Sequence, residues 1–313
     1  MFIKKRFIVL AIILLVGAFI EGVFFYVHYQ SLPEFALPLL DSMPQTTSSD
    51  RLLVFAPHCD DETLGSGSYI AKAIESGAQV KVAIVTNGDG HRFSTIEEFK
   101  KIYPNSQDYI KSGYIRQDES RRALGVLGLK TNIVFLGYPD GGIDNLFNRN
   151  WQSSYKSPYT KTETSPYDNS FRSGVTYQGV NLYDDISKIV VDFSPTIVIL
   201  PSPEDMHPDH KATSWFVDKV ITDNPSIKTH KYYYLVHYRR FPNPTGLHKD
   251  RFLTPPASLI SLQTIWEKFD MDGEALDLKT RALKEYKSQM AVPTLRTLMD
   301  AFLRQNELFY KPR

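Results

Sequence analysis

The feature that binds this chain most tightly is an alternation of short β-rich apolar runs with stretches of helical periodicity. Leu52–Ala56, Val80–Thr86, Asn132–Leu136 and Thr196–Leu200 read as strands, and Tyr232–His237 as a fifth. Between them Leu64–Glu75, Tyr109–Leu127 and Leu182–Phe193 carry helical spacing. Gly77 and Gly128 stand at the ends of the first two, and a further helix opens near Pro208. This alternation predicts an α/β, Rossmann-like three-layer fold with a mostly parallel sheet covered on both faces. In such sheets ligands bind beyond the carboxyl ends of the strands.

The N-terminus adds a second constraint. Lys4, Lys5 and Arg6 precede an apolar stretch from Phe7 to Val27 that only Glu21 interrupts with a charge. About 20 apolar residues suffice to cross a bilayer. Cationic residues stay cytoplasmic, and no Lys or Arg follows until Arg51. The expectation is one uncleaved transmembrane helix in a single-pass cell-membrane protein, with the N-terminus cytoplasmic and the rest extracytoplasmic. A signal peptide is the rival, but no small-residue cleavage site follows the apolar core. Residues 1–30 are thus read as anchor, 31–50 as a linker with prolines and a polar end, and 51–313 as one domain. The region 147–178 has no clear periodicity and reads either as a lid or substrate rim or as a surface insertion.

Composition mainly excludes. A formal net charge of +1 gives no whole-chain case for a nucleic-acid partner. Cys59 is the only cysteine, so neither an intramolecular disulfide nor a multi-cysteine zinc cluster can form.

Two clusters carry chemistry, each at a predicted strand end: Pro57-His58-Cys59-Asp60-Asp61-Glu62 and His207-Pro208-Asp209-His210. Hydrolytic zinc takes three protein ligands and keeps one open position, and His and carboxylate donors suit it. In a bend, His58 and Asp61 can turn toward one point, leaving Asp60 beside the metal as a base. One histidine of the second cluster can complete the metal site, and the other can face the scissile group. A lone histidine or Asp-Asp pair is ordinarily surface decoration or a helix cap; two such clusters at equivalent strand ends are not.

The first cluster resembles the Ala-His-Pro-Asp-Asp-Glu signature of the LmbE-like, PIG-L-type de-N-acetylases, and the second matches that family's His-Pro-Asp-His motif. Arg116-Gln117-Asp118-Glu119, Gly137–Gly142 and Lys284–Gln289 are similar to further family motifs. The resemblance implies an LmbE-like fold and a zinc-dependent hydrolase that removes acetyl from an N-acetylglucosamine-type sugar of a glycan or glycolipid. It implies His58, Asp61 and His210 as ligands of one Zn2+ per chain, with Fe2+ an alternative. Asp60 would be the general base and His207 the electrophile or general acid. Asp140 would position His207, Asp209 would support it, and Arg116 would reach the sugar. Cys59 departs from the family's proline, which puts the stiffness of that loop in question more than the chemistry. Asp89 reads as part of a turn, and His91 as a weaker substrate contact. His28, His230, His237 and His248 lack a partner pattern and receive no role. The competing readings are a zinc amidase acting on a non-sugar acyl amide and a non-catalytic, membrane-tethered glycan-binding protein. Nothing in the chain indicates its oligomeric state.

Overall fold

The computed structural model describes residues 2–28, 32–260 and 263–312, with the side chains of residues 2–11, 25, 27 and 28 outside the description. In chain order the elements are α1 (Phe2–His28), β1 (Asp41–Ser42), β2 (Arg51–Ala56), α2 (Asp61–Glu75), β3 (Gln79–Thr86), α3 (Arg92–Phe99) and α4 (Ser106–Val126). There follow β4 (Ile133–Tyr138), α5 (Ile143–Asn148), α6 (Gly179–Phe193), β5 (Ile197–Pro201), α7 (Pro208–Asp223) and β6 (His230–Tyr234). The chain closes with β7 (Thr264–Asp270), α8 (Gly273–Leu283), α9 (Lys287–Met290), α10 (Pro293–Asp300) and β8 (Asn306–Pro312).

The sheet order is β1-β7-β8-β6-β5-β2-β3-β4. All pairs are parallel except β6/β8 and β7/β8. Leu52–Ala56 of the central β2 are fully buried, as an unbroken apolar run in a parallel sheet must be. Helices α2, α4 and α8 pack together in one layer, while α5, α6 and α7 form another. The chain winds outward from β2 toward β3 on one side and toward β5 on the other. This reversal opens a crevice at the strand ends, and the two sequence clusters follow β2 and β5 into it.

Residues 33–50, read from sequence as a tether, lie against the domain. Leu37 and Met43 are buried, and Asp41–Ser42 pair in parallel with β7. Tyr69 also donates its hydroxyl to the Pro44 carbonyl at 2.8 Å. The segment 147–178 is likewise stapled down: Phe171 N donates to Phe135 O at 2.8 Å, and Tyr167 and Tyr177 are fully buried.

The expected anchor falls on α1. Among the described residues, no helix is long and apolar enough to cross a membrane. The expected span includes residues 7–11, whose side chains lie outside the description, and Met1 and residues 29–31 lie outside it altogether.

Candidate active site

The loops after β2, β3, β4, β5 and β6 converge on one cavity of about 350 Å³. His58, Asp60, Asp61, His91, Arg116, Asp140, His207 and His237 line it on one side, with Leu64, Leu295, Leu298 and Met299 as an apolar wall. A larger cleft of about 880 Å³ between α2, the end of α4 and α8 lies apart from these clusters.

Asp61 opens α2 and is the hub. Its Oδ2 accepts from the His58 amide at 3.0 Å and lies 3.0 Å from His58 Nδ1 and 3.1 Å from His210 Nε2. His210, at the start of α7, is fully buried, and its Nδ1 meets Asp205 Oδ2 at 3.1 Å. Its Nε2 makes no well-directed hydrogen bond and meets only Asp61 Oδ2, at 3.1 Å. A buried imidazole oriented by a carboxylate on one nitrogen, with the other turned to a second candidate donor and free of a directed hydrogen bond, is the arrangement a metal ligand needs. The surrounding Asp61, Asp140, Asp205 and Asp209 are all buried, with Arg116 as the fixed cation among them. A divalent cation would balance that surplus, and His/Asp donors suit zinc or iron. The residues therefore fit the metal.

The remaining residues make these contacts. Asp140, expected beside His207, has its Oδ1 3.2 Å from His58 Nε2, and its Oδ2 accepts from Gly90 N at 2.7 Å. Asp209 also turns to His58, with Oδ2 3.4 Å from Nε2, and takes the amides of Gly141 (2.7 Å) and Ile143 (3.0 Å). The reason is geometric: Asp209 is on the first turn of α7 and faces the β4–α5 loop, so it ties that loop to the His58 ring. Arg116, expected to reach the sugar, spends its guanidinium on the protein. It donates to Gly88 O at 2.5 Å, to Cys59 O at 2.6 Å and to Asp60 Oδ2 at 3.2 Å. It thus holds the Asp60 carboxylate, and it also lines the cavity. His91 lines the cavity but also caps α3, accepting from Ser94 N at 3.2 Å. The Cys59 side chain is fully buried, and burial pushes its thiol pKa far up, so it is held as a thiol.

Asp60 has φ +122°, a conformation that costs about 1–3 kcal/mol in a non-glycine residue and marks a constrained site. Its amide donates to Glu62 Oε2 at 3.0 Å, and Glu62 Oε1 accepts from Tyr286 Oη at 2.7 Å. The Glu62 side chain thus fastens the strained loop to the C-terminal segment. In the same way Glu119 takes the amide and hydroxyl of Ser288 at 2.8 and 2.6 Å.

The electrostatics follow from burial. Burial, with Asp61 and Glu62 alongside, raises Asp60 to about 8 despite Arg116. His210 would lose its proton to burial, but Asp205 and Asp61 outweigh this and hold it at about 9. Asp140, Asp209 and Asp61 likewise overcome burial at His58 and raise its pKa well above the ordinary value. His207 is lowered to about 4 by burial and by the neighbouring His58 and His210, so it is neutral near pH 7. Its Nδ1 accepts from Asp209 N at 3.3 Å, which leaves the proton on Nε2 as a donor.

Sequence reasoning missed two residues. Asp205 bridges His210 and the loop after β6, and His237 joins the imidazole cluster, 4.9 Å from His210 and 5.3 Å from His207 between ring centroids. No local spacing announces either.

The family model described as PIG-L: GlcNAc-PI de-N-acetylase matches residues 53–221. The fold is similar to that of N,N'-diacetylchitobiose deacetylase from Pyrococcus horikoshii, complexed with its inhibitor MPG. That likeness has 19% identity, 84% of each chain covered and a TM-score of 0.51. It is also similar to a deacetylase of teicoplanin biosynthesis, at 17% identity, 84% and 98% coverage and a TM-score of 0.55. The zinc-inhibited form of a teicoplanin deacetylase gives 18% identity, 84% and 98% coverage and a TM-score of 0.54. At these identities the structural likeness is one of fold.

Proposed function

Because the chain belongs to the PIG-L family of GlcNAc-PI de-N-acetylases, a family of hydrolases acting on amide bonds, we propose that it removes the acetyl group from an N-acetylglucosamine-type sugar in a glycan or glycolipid, in a zinc-dependent reaction. The observation that carries the reading is the Asp61 carboxylate shared by His58 and a His210 whose buried Nε2 makes no directed hydrogen bond, with Asp60 beside it. The deacetylases of like fold support it, and one of them has a zinc-inhibited form.

His58, Asp61 and His210 would hold the ion. When bound, a divalent cation polarises the acetamide carbonyl and makes water more acidic. The Asp60 carboxylate, fixed by Arg116, takes the proton of the attacking water. His207 donates its Nε2–H to the oxygen on which negative charge develops. Asp60 then carries that proton to the departing amine. Tyr159, Leu295, Leu298 and Met299 also line the cavity.

The test is acetate release by the full chain from chitooligosaccharides, N-acetylglucosaminyl lipids and wall fragments, after chelation and zinc restoration. Asp60→Asn is expected to lose at least about a hundredfold in rate while keeping its metal. Release that survives the substitution or needs no metal would overturn the reading.

The anchor belongs to the same proposal. Its support is the apolar run of Phe7–Val27 behind Lys4, Lys5 and Arg6, together with the exposed Ile12, Leu15, Phe19 and Phe24 of α1. Residues 1–30 would hold the protein in the membrane with the domain extracytoplasmic. Alkaline extraction of membranes and protease accessibility of the domain in intact cells test both points. Release from membranes by alkali would refute the anchor.

A further inference from the structure

Besides His91, which caps α3, the cavity holds an imidazole that the assigned roles leave unused. His237 stands just beyond β6, and its ring meets that of His210 edge-on, with centroids 4.9 Å apart and planes at 69°. One donor atom each from Asp61, His210 and His237 lie within 4.8 Å of one another. Donors bound to one zinc at 2.0–2.2 Å in tetrahedral array stand about 3.4 Å apart.

The backbone around His237 is built for this position. Asp205 Oδ2, which orients His210 through Nδ1, also accepts the amides of Val236 at 3.0 Å and His237 at 2.9 Å. Met206 N donates to His237 O at 2.7 Å, and Asp205 Oδ1 accepts the His207 amide at 2.9 Å. A single buried carboxylate therefore sets the His210 ring and the main chain carrying His237 against each other. Such shared support is how proteins hold ligands to a common ion.

Building on the metal-dependent reading, we propose that His237 is a further ligand of the metal, joining His58, Asp61 and His210 and leaving His207 to the substrate. The ion would then have four protein donors, and water would enter as a fifth ligand, a coordination that catalytic zinc can adopt.

The experiment uses the full chain in detergent, stripped by chelation and titrated with zinc against a chromophoric chelator. X-ray absorption then counts the imidazoles on the bound ion. His237→Ala is expected to weaken zinc at least about tenfold and to show one imidazole fewer than wild type. His237→Cys, which restores a good zinc donor, is expected to recover most of the affinity. Its recovery also separates loss of a ligand from loss of fold. The exposed His230→Ala serves as control. Wild-type affinity and an unchanged imidazole count in His237→Ala would overturn the inference while leaving the deacetylase reading standing. A wild-type chain that binds no zinc would remove both.

Discussion

Replacing Lys279 with methionine should unfold this protein from the inside, through the helix that begins at the active site. Helix α2 is broken at Ser66, whose φ/ψ of −149°/18° are not helical. The break is spliced by an ion pair from elsewhere: Lys279 Nζ and Glu307 Oε1 are 2.7 Å apart, and both side chains are fully buried. Lys279 also donates to the Leu64 carbonyl at 2.9 Å. Glu307 accepts the amides of Ser68 at 2.7 Å and Tyr69 at 2.9 Å. An unbroken helix would join Ser68 N to Leu64 O; here the pair stands between them. Methionine fills the space of lysine but leaves a buried carboxylate unpaired and a carbonyl unsatisfied. Removing one partner of a buried pair costs about 3–5 kcal/mol. For a domain of this size that is a fall in Tm of roughly 6–20 °C. Scanning calorimetry of the full chain in mild detergent measures it. Lys279→Met/Glu307→Gln together should cost less than Lys279→Met alone, because no charge is then stranded. A loss under about 1 kcal/mol, or a double variant no better than the single, would refute the splice.

Three other outcomes are expected. Gly88 has φ +64°, and a Cβ there would overlap the Arg116 guanidinium. Gly88→Ala should therefore displace Arg116, release Asp60 and lower kcat about 100-fold; a near-wild-type rate would mean that Arg116 is not what holds the base. Asp205→Asn should weaken zinc about 10–100-fold, because it deprives His210 of its carboxylate partner; a chelator-competition titration that finds no change refutes this. Protein stripped of metal should lose stability between pH 6.5 and about 9. Asp60 at about 8 and His210 at about 9 bind protons more tightly folded than unfolded, so the stability they confer at lower pH disappears as they titrate. Melting temperatures that rise over this window would contradict it.

The five strands β2 to β6 are readable because parallel strands buried on both faces leave contiguous apolar runs, as Leu52–Ala56 and Ile197–Leu200 do. Strands β7 and β8 are not. Thr264–Asp270 and Asn306–Pro312 mix charges with aromatics because both pair antiparallel near the sheet edge. The fifth strand was read to His237 but stops at Tyr234, where Asp205 draws the amides of Val236 and His237 away. The same distinction governs the site. His58, Asp60 and Asp61 share one turn, so their convergence follows from local spacing. The target of Arg116 lies 56 residues away in sequence and His237 reaches the cluster only through Asp205, contacts that tertiary packing alone decides.

The two-residue pairing of Asp41–Ser42 with β7 makes the segment before β2 the selvedge of the sheet. Without it the amides and carbonyls around Glu267 and Lys268 would face solvent as an open template for a second chain. A proteolytic cut before residue 33 would shed a domain with its border intact. A cut near residue 50 would strip that border from β7 and favour aggregation, so the position of a nick decides whether the domain stays monodisperse.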